Sequence, residues 1–483
     1  MIKKILLVYP PVKIYDYEIR NYAPPLGLAY LAAVIEQDYD VKILDCVIEG
    51  KEHKEGGMLR LGLTDEEINI IIRNYNPDVV GISCLYSNQV TMTYRIADII
   101  KKFNKKITVV VGGAHASALP EEVLMQSKHK IDYVVIGEGE QTFSSLMDKL
   151  NKHTKKISLD GLAYFYKNNV ILKSKKKYIE DLDSLPLPAR HLLDMEKYFE
   201  KKTGHGFEQI GKRATSMVTS RGCPFDCKFC SIHNVWGYKY RTRNAKKVVD
   251  EIKFLVDEYK VDEISFEDDN LTLNRSRIEE ICDELIRRNI EIKWTTPNGV
   301  FIHSLDEALL KKMKQSGCYK LCFGIESGDV NILKYMNKKI NLEKARDIIK
   351  ICNAIGIWTH GFFIIGMPIE KKESLSNTLN FAISSGLDFA SFLIAMPYPG
   401  TGLYNEMQKV DYDKLKVMHS TIDIKNFTAD ELNSIQKQLY SAFAMHKLIS
   451  MFNPVNFYRY FRKPKAFSMM FRSFSRFLQI SRK

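Results

Sequence analysis

At 483 residues, with 45% hydrophobic and 27% charged side chains, the chain reads as a well-cored globular protein of two or three domains, not a disordered or fibrous one. Its formal net charge of +13 is concentrated past Glu431, the last acidic residue, so the preceding body is nearly neutral and nucleic acid is not an expected partner. No stretch approaches the ~20 apolar residues of a membrane span.

The first apolar run, Ile5 to Tyr9, is shorter than a secretory signal requires and stops at Pro10-Pro11, so it is expected to be a buried strand. Further strands are expected at 41–45, 79–85, 107–113 and 133–137, with amphipathic helical stretches at 66–74 and 92–103 between them. This alternation predicts a doubly wound parallel sheet over residues 1–148. Ligands of such sheets lie beyond the strand carboxyl ends, here Asp45, Ser83 and Gly112-Gly113. Residues 149–212 carry a basic run and the prolines of Leu185-Pro-Leu-Pro188, and are expected to form a surface connector. A second alternation then predicts strands at 216–220, 263–267, 292–296, 320–325, 358–365 and 389–395. Six βα units over 213–410 make a partial (β/α)6 barrel, so the fold class is α/β throughout. Residues 411–483 are expected to be a helical basic tail.

Just after the first barrel strand stands Arg221-Gly-Cys-Pro-Phe-Asp-Cys-Lys-Phe-Cys230. Four-iron clusters are usually held by four thiolates; three cysteines at this spacing leave one iron open to chelate a small ligand. The alternative is a zinc site completed by His233. Nine cysteines, odd in number and mostly inside apolar runs, fit a reducing cytoplasmic setting with free thiols and metal ligands. Cys318 and Cys322 invite a second-cluster reading, but without a third partner they are expected to be buried thiols.

The Arg-Gly-Cys-x3-Cys-x-Phe-Cys pattern resembles the signature of the radical S-adenosylmethionine superfamily. The resemblance implies an anaerobic enzyme with a [4Fe-4S] cluster on Cys223, Cys227 and Cys230, and Phe229 near the adenine of S-adenosylmethionine. It also implies cofactor contacts from Glu267, Asp268 and Asp269 after the second strand, Glu326 and Ser327 after the fourth, and Gly366 after the fifth. Ile369 departs from the family there, replacing the usual second glycine of the Gly-x-Pro-Gly-Glu turn.

The first domain is similar to the cobalamin-binding domain of methionine synthase and of cobalamin-dependent radical enzymes, through Pro24-Pro-Leu-Gly-Leu28, Ser83-Cys-Leu85, Val111-Gly-Gly-Ala114 and Ile136-Gly-Glu-Gly-Glu140. The similarity implies cobalamin contacts at Asp45, Ser83, Leu85, Gly112, Gly113, Gly137 and Glu138. In Asp45-Cys-Val-Ile-Glu-Gly50, Val47 occupies the position of the cobalt-ligating histidine, so no protein nitrogen is expected beneath cobalt.

Together these resemblances imply reductive cleavage of S-adenosylmethionine and cobalamin-dependent C-methylation of a lipid or natural-product small molecule. The electron donor would be a flavodoxin or ferredoxin. Two other outcomes are open at this level: ring formation without methyl transfer, as in the anaerobic cyclase of chlorophyll synthesis, and a non-catalytic cobalamin or redox sensor. The tail interleaves Phe452, Phe457, Phe461, Phe467, Phe471, Phe474 and Phe477 with basic residues. That pattern suits a peripheral membrane contact or a terminal helix docked on the barrel.

Overall fold

The computed structural model describes residues 1–469, except 17, 19, 155, 202–208, 408–410, 413, 414, 416, 417, 455, 456, 458, 459, 461, 464 and 467, and is organised by two parallel sheets. Lys4–Tyr9 (β1), Asp40–Asp45 (β2), Val79–Ser83 (β3), Thr108–Gly112 (β4) and Tyr133–Val135 (β5) form the first. Its parallel part runs β5-β4-β3-β1-β2. Alternation along β1 divides its side chains between two layers of helix. Leu6 and Val8 pack with Ile68, Ile72 and Ile96 on one face, and Ile5 and Leu7 with Leu28, Ile35 and Leu146 on the other. From β1 the chain goes outward to β2 and then back across to β3. The order therefore reverses between β1 and β3, and a crevice opens at their carboxyl ends.

The expected connector is only partly one. Leu162–Tyr166 (β6) and Asn169–Lys173 (β7) form a hairpin that extends the first sheet antiparallel to β5, beyond the expected boundary at 148. Its two-residue turn, Lys167-Asn168, has φ of 48° and 65° at both positions, which suits a hairpin but lacks the glycine that would announce it. A small antiparallel sheet of Val12–Ile14, Lys51–Glu55 and Met58–Gly62 was also not expected, because Lys51-Glu-His-Lys-Glu55 has no apolar face to signal a strand.

The second sheet matches the six expected strands: Ala214–Met217 (β8), Glu263–Phe266 (β9), Lys293–Thr296 (β10), Cys318–Glu326 (β11), Trp358–Ile365 (β12) and Phe389–Ile394 (β13). They are parallel and in sequence order, and β8 and β13 are not paired, so the barrel is open. Leu321, Phe323 and Ile325 point outward into the core shared with the helices, as do Phe363 and Phe392 from neighbouring strands. Alternation turns residues 320, 322, 360 and 362 into the lumen.

Helix Ala429–Met451, started by a Thr428/Glu431 capping box, packs on β13, where Gln436 Nε2 donates to the Phe392 carbonyl at 2.7 Å. Beyond it Tyr460 and Met469 are buried with Ile210, Tyr319, Trp358 and Phe389, closing the amino end of the barrel. Lys463, counted among the tail's basic residues, is buried and donates to Asp388 and to Asn353 Oδ1, the latter at 2.8 Å. The described part of the tail thus packs on the barrel through Tyr460, Lys463 and Met469, while Phe452 and Phe457 are exposed. Phe461, Phe467, Phe471, Phe474 and Phe477 lie outside the described residues. Among the described residues no helix is long and apolar enough to cross a membrane.

Candidate active site

The loop after β8 is held from several sides. Lys228 donates its amide to the Met336 carbonyl and accepts from the Leu403 amide, both at 2.9 Å, and Asn337 Nδ2 donates to the Asp226 carbonyl at 2.8 Å. Gly222 cannot be replaced: φ is +85°, and a Cβ there would stand 2.2 Å from the Lys239 carbonyl oxygen. Phe229 packs with Met336, Met367, Ala395 and Leu403, an apolar wall beside the cysteines suited to a flat ring. Burial raises the thiols of Cys223, Cys227 and Cys230, the last to about 12, while the Lys338 ammonium pulls Cys223 and Cys227 back down. His233 is engaged elsewhere, its Nε2 at 2.9 Å from the Cys223 carbonyl and its ring stacked 3.7 Å from Tyr238. Among the described residues no three histidine, cysteine or acidic side chains form a single-ion site. A cluster instead spreads its thiolates over separate irons. Cys318 lies buried in β11 with its Sγ toward the Lys320 carbonyl at 3.8 Å, and Cys322 lines the cavity described below.

Glu326 ends β11 with φ at +68°, strained for a non-glycine residue, where the ladder to β12 shifts register. Lys338 Nζ donates to its Oε1 at 3.1 Å. Asp269 is pushed up to about 7 by burial, reinforced by Asp268 and Glu267, and its charge bears on Cys223 and Cys230. Asp268 does not face a ligand. It accepts from Thr219 Oγ1 at 2.7 Å and from Ser220 Oγ, tying β9 to the start of the cysteine loop. Ser327 is likewise used internally, 3.0 Å from Thr378 Oγ1 and accepting from the Asp329 amide at 3.1 Å. Gly366 keeps the positive φ, +83°, that its position asks of glycine; Ile369 does not adopt one, so the substitution leaves the turn intact.

A cavity of about 970 Å³ runs from the crevice of the first sheet into the barrel lumen. Asp45, Ser83, Leu85, Gly112, Gly113, Gly137 and Glu138 all line it, with Glu267 and Asn298 from the barrel. Gly27 and Gly112 leave room for a bulky flat group: a Cβ at Gly27 would meet nothing within 4 Å, and one at Gly112 only ordinary contacts at 3.6 Å or more. Gly113 answers to the protein itself, because its Cβ would stand 2.6 Å from the Cys84 carbonyl oxygen. Asp45 caps the short helix Cys46–Glu49, accepting from the Val47 amide at 2.9 Å, and takes a 2.7 Å bond from the Tyr198 hydroxyl. Burial pushes Asp45 up to about 6. Val47 lines the cavity and packs with Ile14, Leu59 and Leu61, so this wall offers hydrocarbon where a histidine would offer nitrogen.

Sequence reasoning missed the ionic joint between the domains. Arg221, directly before Gly222, donates to Glu138 at 3.0 Å and to Glu140 at 2.7 Å, and Arg241 also donates to Glu138 at 2.7 Å. All four side chains are buried, and the Arg221 guanidinium lies 4.6 Å from the Trp236 ring centre. The carboxylate assigned by resemblance to cobalamin, Glu138, therefore binds the cysteine loop. Nothing in the local sequence of Arg221 or Arg241 tells which acid they meet.

A Rossmann-type crevice joined by one cavity to an open barrel with a three-cysteine loop defines a radical enzyme carrying a second cofactor domain. Residues 12–147 match the B12 binding domain family and residues 217–382 the radical SAM superfamily. The chain is 34% identical over 449 residues to an uncharacterized methyltransferase of Pyrococcus horikoshii, covering 92% of each protein. It is also 34% identical to the cytidylyl-2-hydroxyethylphosphonate methyltransferase of Streptomyces wedmorensis, over 84% of this chain and 81% of that one. Among solved structures, the radical S-adenosylmethionine methyltransferase TsrM from Kitasatospora setae, with cobalamin and a [4Fe-4S] cluster bound, superposes with a TM-score of 0.66 at 18% identity, covering 84% of this chain and 75% of that chain. The chain belongs to the radical S-adenosylmethionine superfamily, in the branch with a B12-binding domain, and is a radical SAM enzyme.

Proposed function

We propose that the chain methylates an unactivated carbon of a small molecule held in the barrel lumen. One observation carries this reading: the cobalamin-type crevice and the lumen are a single cavity, whose wall includes Arg221 and Ile232 on either side of the three cysteines. When bound, the [4Fe-4S] cluster supplies the electron that cleaves S-adenosylmethionine, and cobalamin supplies the methyl group. Cys223, Cys227 and Cys230 would hold the cluster, while Phe229, Asp269, Glu326 and Gly366 would shape the S-adenosylmethionine site. Asp268 and Ser327 act behind them, fixing the loops. Gly27, Gly112 and Ser83 would receive cobalamin, with Val47 leaving its lower face without a protein ligand. Glu267, at the seam, accepts from Asn298 Nδ2 at 3.3 Å and is placed to orient a group reaching from one side to the other. The electron would come from a flavodoxin or ferredoxin.

The relative acting on cytidylyl-2-hydroxyethylphosphonate makes phosphonates and their nucleotide esters the first compounds to try. The test is anaerobic reconstitution with the cluster, cobalamin, reductant and candidate substrates. The expected products are 5′-deoxyadenosine and a substrate heavier by one methylene. 5′-Deoxyadenosine with an unmethylated, oxidised or cyclised product would favour the cyclase reading, and no S-adenosylmethionine cleavage at all would favour the sensor.

A further inference from the structure

The cavity does not stop at the crevice. A branch of it enters the core of the first domain, between the sheet and the helices Leu26–Ile35 and Glu140–Asn151 that cover one of its faces. Leu28 and Leu31 line this branch from the first helix, Phe143 from the second, and Gly81, Val110 and Val135 from β3, β4 and β5. Leu28, Val110, Val135 and Phe143 also belong to the buried core of that face and are no more than 5% exposed. Core side chains ordinarily close on one another and leave few voids larger than a water molecule. Here they part to leave a slot. Glycines stand where its walls come closest: a Cβ at Gly81 would lie 2.8 Å from Leu7 Cδ2 and 3.6 Å from the Phe143 ring, and one at Gly139 3.2 Å from Leu31 Cδ2.

The slot is as short of polar partners as it is of width. Its side chains are hydrocarbon, and its main chain is already paired. Gly81 sits between Leu7 and Val110 in the ladders, Val110 is paired in turn with Tyr133, and the Phe143 amide donates to the Gly139 carbonyl at 2.7 Å. Glu138 and Glu140 line the same cavity, but Arg221 and Arg241 bind them. Ser83, two residues beyond Gly81 and on the same face of the sheet, places a hydroxyl at the mouth of the slot.

We propose that this slot receives the aromatic base at the end of the cobalamin tail and selects among cobamides, the cofactors that differ from cobalamin in that base. It takes a base with a hydrocarbon edge, a benzimidazole or a phenol, in preference to a purine. The dimethylbenzimidazole of cobalamin presents two methyl groups at its outer edge, which gain from burial among Leu28, Val110, Val135 and Phe143. Adenine presents ring nitrogens and an amine there. Ser83 can meet one polar group at the mouth, whereas the deeper ones would lose water and find no partner. The selection rests on the corrin ring occupying the crevice, and it makes the type of cobamide, not only its presence, a determinant of the active holoenzyme.

The test is equilibrium dialysis of the full-length, cluster-loaded protein against four corrinoids, read by corrin absorbance: cobalamin, a cobamide with a phenolic base, the cobamide with adenine, and cobinamide, which lacks the tail. Cobalamin and the phenolic form should each bind about tenfold or more tighter than the adenine form, the size expected for burying an unsatisfied polar group. Cobinamide should also bind more weakly than cobalamin. Val110→Phe, which fills the slot, should bring cobalamin down to the level of cobinamide and leave cobinamide unchanged. Leu31→Gln sets a hydrogen-bonding group in the wall and should narrow the gap between cobalamin and the adenine form by about threefold. Unchanged cluster absorbance and S-adenosylmethionine binding show that each variant is folded, and the comparison within the parent protein decides the matter without either. Equal binding of cobalamin and the adenine form by the parent, or tighter binding of the adenine form, overturns the proposal. Uptake of none of the four would instead overturn the occupancy of the crevice on which it rests.

Discussion

The cysteine loop and the crevice of the first domain both face cofactors, yet they are built from opposite materials. The loop concentrates its chemistry in ten consecutive residues, with three thiols, an aromatic and a glycine that its φ of +85° makes irreplaceable. The crevice spreads its surface over five strand ends and offers mainly glycine, backbone and hydrocarbon, with Val47 where nitrogen would ligate cobalt. A cluster must be held by bonds to named atoms, so its residues cannot drift. A flat macrocycle is held by shape, so room matters more than side-chain identity. The two surfaces meet through Arg221, which belongs to the loop by sequence and to Glu138 and Glu140 of the crevice by contact.

This contrast can be broken at its strongest point by replacing Cys223, Cys227 and Cys230 with alanine together. Iron and its visible absorption should be lost entirely, along with all S-adenosylmethionine cleavage, while cobalamin uptake persists because the crevice uses none of these thiols. A triple variant that keeps a full cluster would refute the assignment. The next effect in size belongs to the joint. Arg221→Met leaves Glu138 and Glu140 buried with fewer partners, and removing one member of a buried ionic group typically costs about 3–5 kcal/mol. Denaturant unfolding should show that loss, and uptake of both cofactors should fall together; independent behaviour of the two cofactors would mean the domains do not rely on this contact.

A smaller effect follows from Asp45. Burial raises its carboxyl on folding from 3.8 to about 6, so the folded state holds the proton more tightly than the unfolded chain. Its contribution is fully present below the unfolded value and disappears as pH rises through the folded one. Relative to Asp45→Asn, which does not titrate, the parent should therefore lose up to about 3 kcal/mol between roughly pH 4 and pH 7. A gap between the two that does not change with pH would show that Asp45 is solvated. The subtlest measurement sharpens the comparison from the crevice side. The paramagnetic spectrum of bound cob(II)alamin should lack superhyperfine splitting from a protein nitrogen, because Val47 and its apolar neighbours Ile14, Leu59 and Leu61 form that wall.

Parallel strands buried on both faces write themselves as short apolar runs between turns, which is why all five strands of the first parallel sheet and all six of the barrel were legible. Lys51–Glu55 was not, since an exposed edge strand keeps no apolar face, and the β6–β7 hairpin hid behind a turn of Lys167 and Asn168 without glycine. At the site, the cysteines and the seven crevice residues were read from local motifs, and each motif ends at the carboxyl end of a strand where the fold gathers ligands. The directions of Asp268 and Ser327 were not legible, because a carboxylate or hydroxyl at a strand end can turn toward the ligand or toward the loop behind it, and only the positions of Thr219 and Thr378 decide.

The sequence alone determined the two βα alternations, the spacing of Cys223, Cys227 and Cys230 and the valine at position 47, because each is a property of residue type at fixed spacing. Tertiary structure alone decided that Glu138 serves Arg221, 83 positions away, that Lys463 closes the barrel's amino end, and that Ser216, Ser265, Thr295 and Lys320 form one polar row. Those pairings depend on sheet register and on which buried charge finds which partner, and desolvation penalises every arrangement except the one in which they meet.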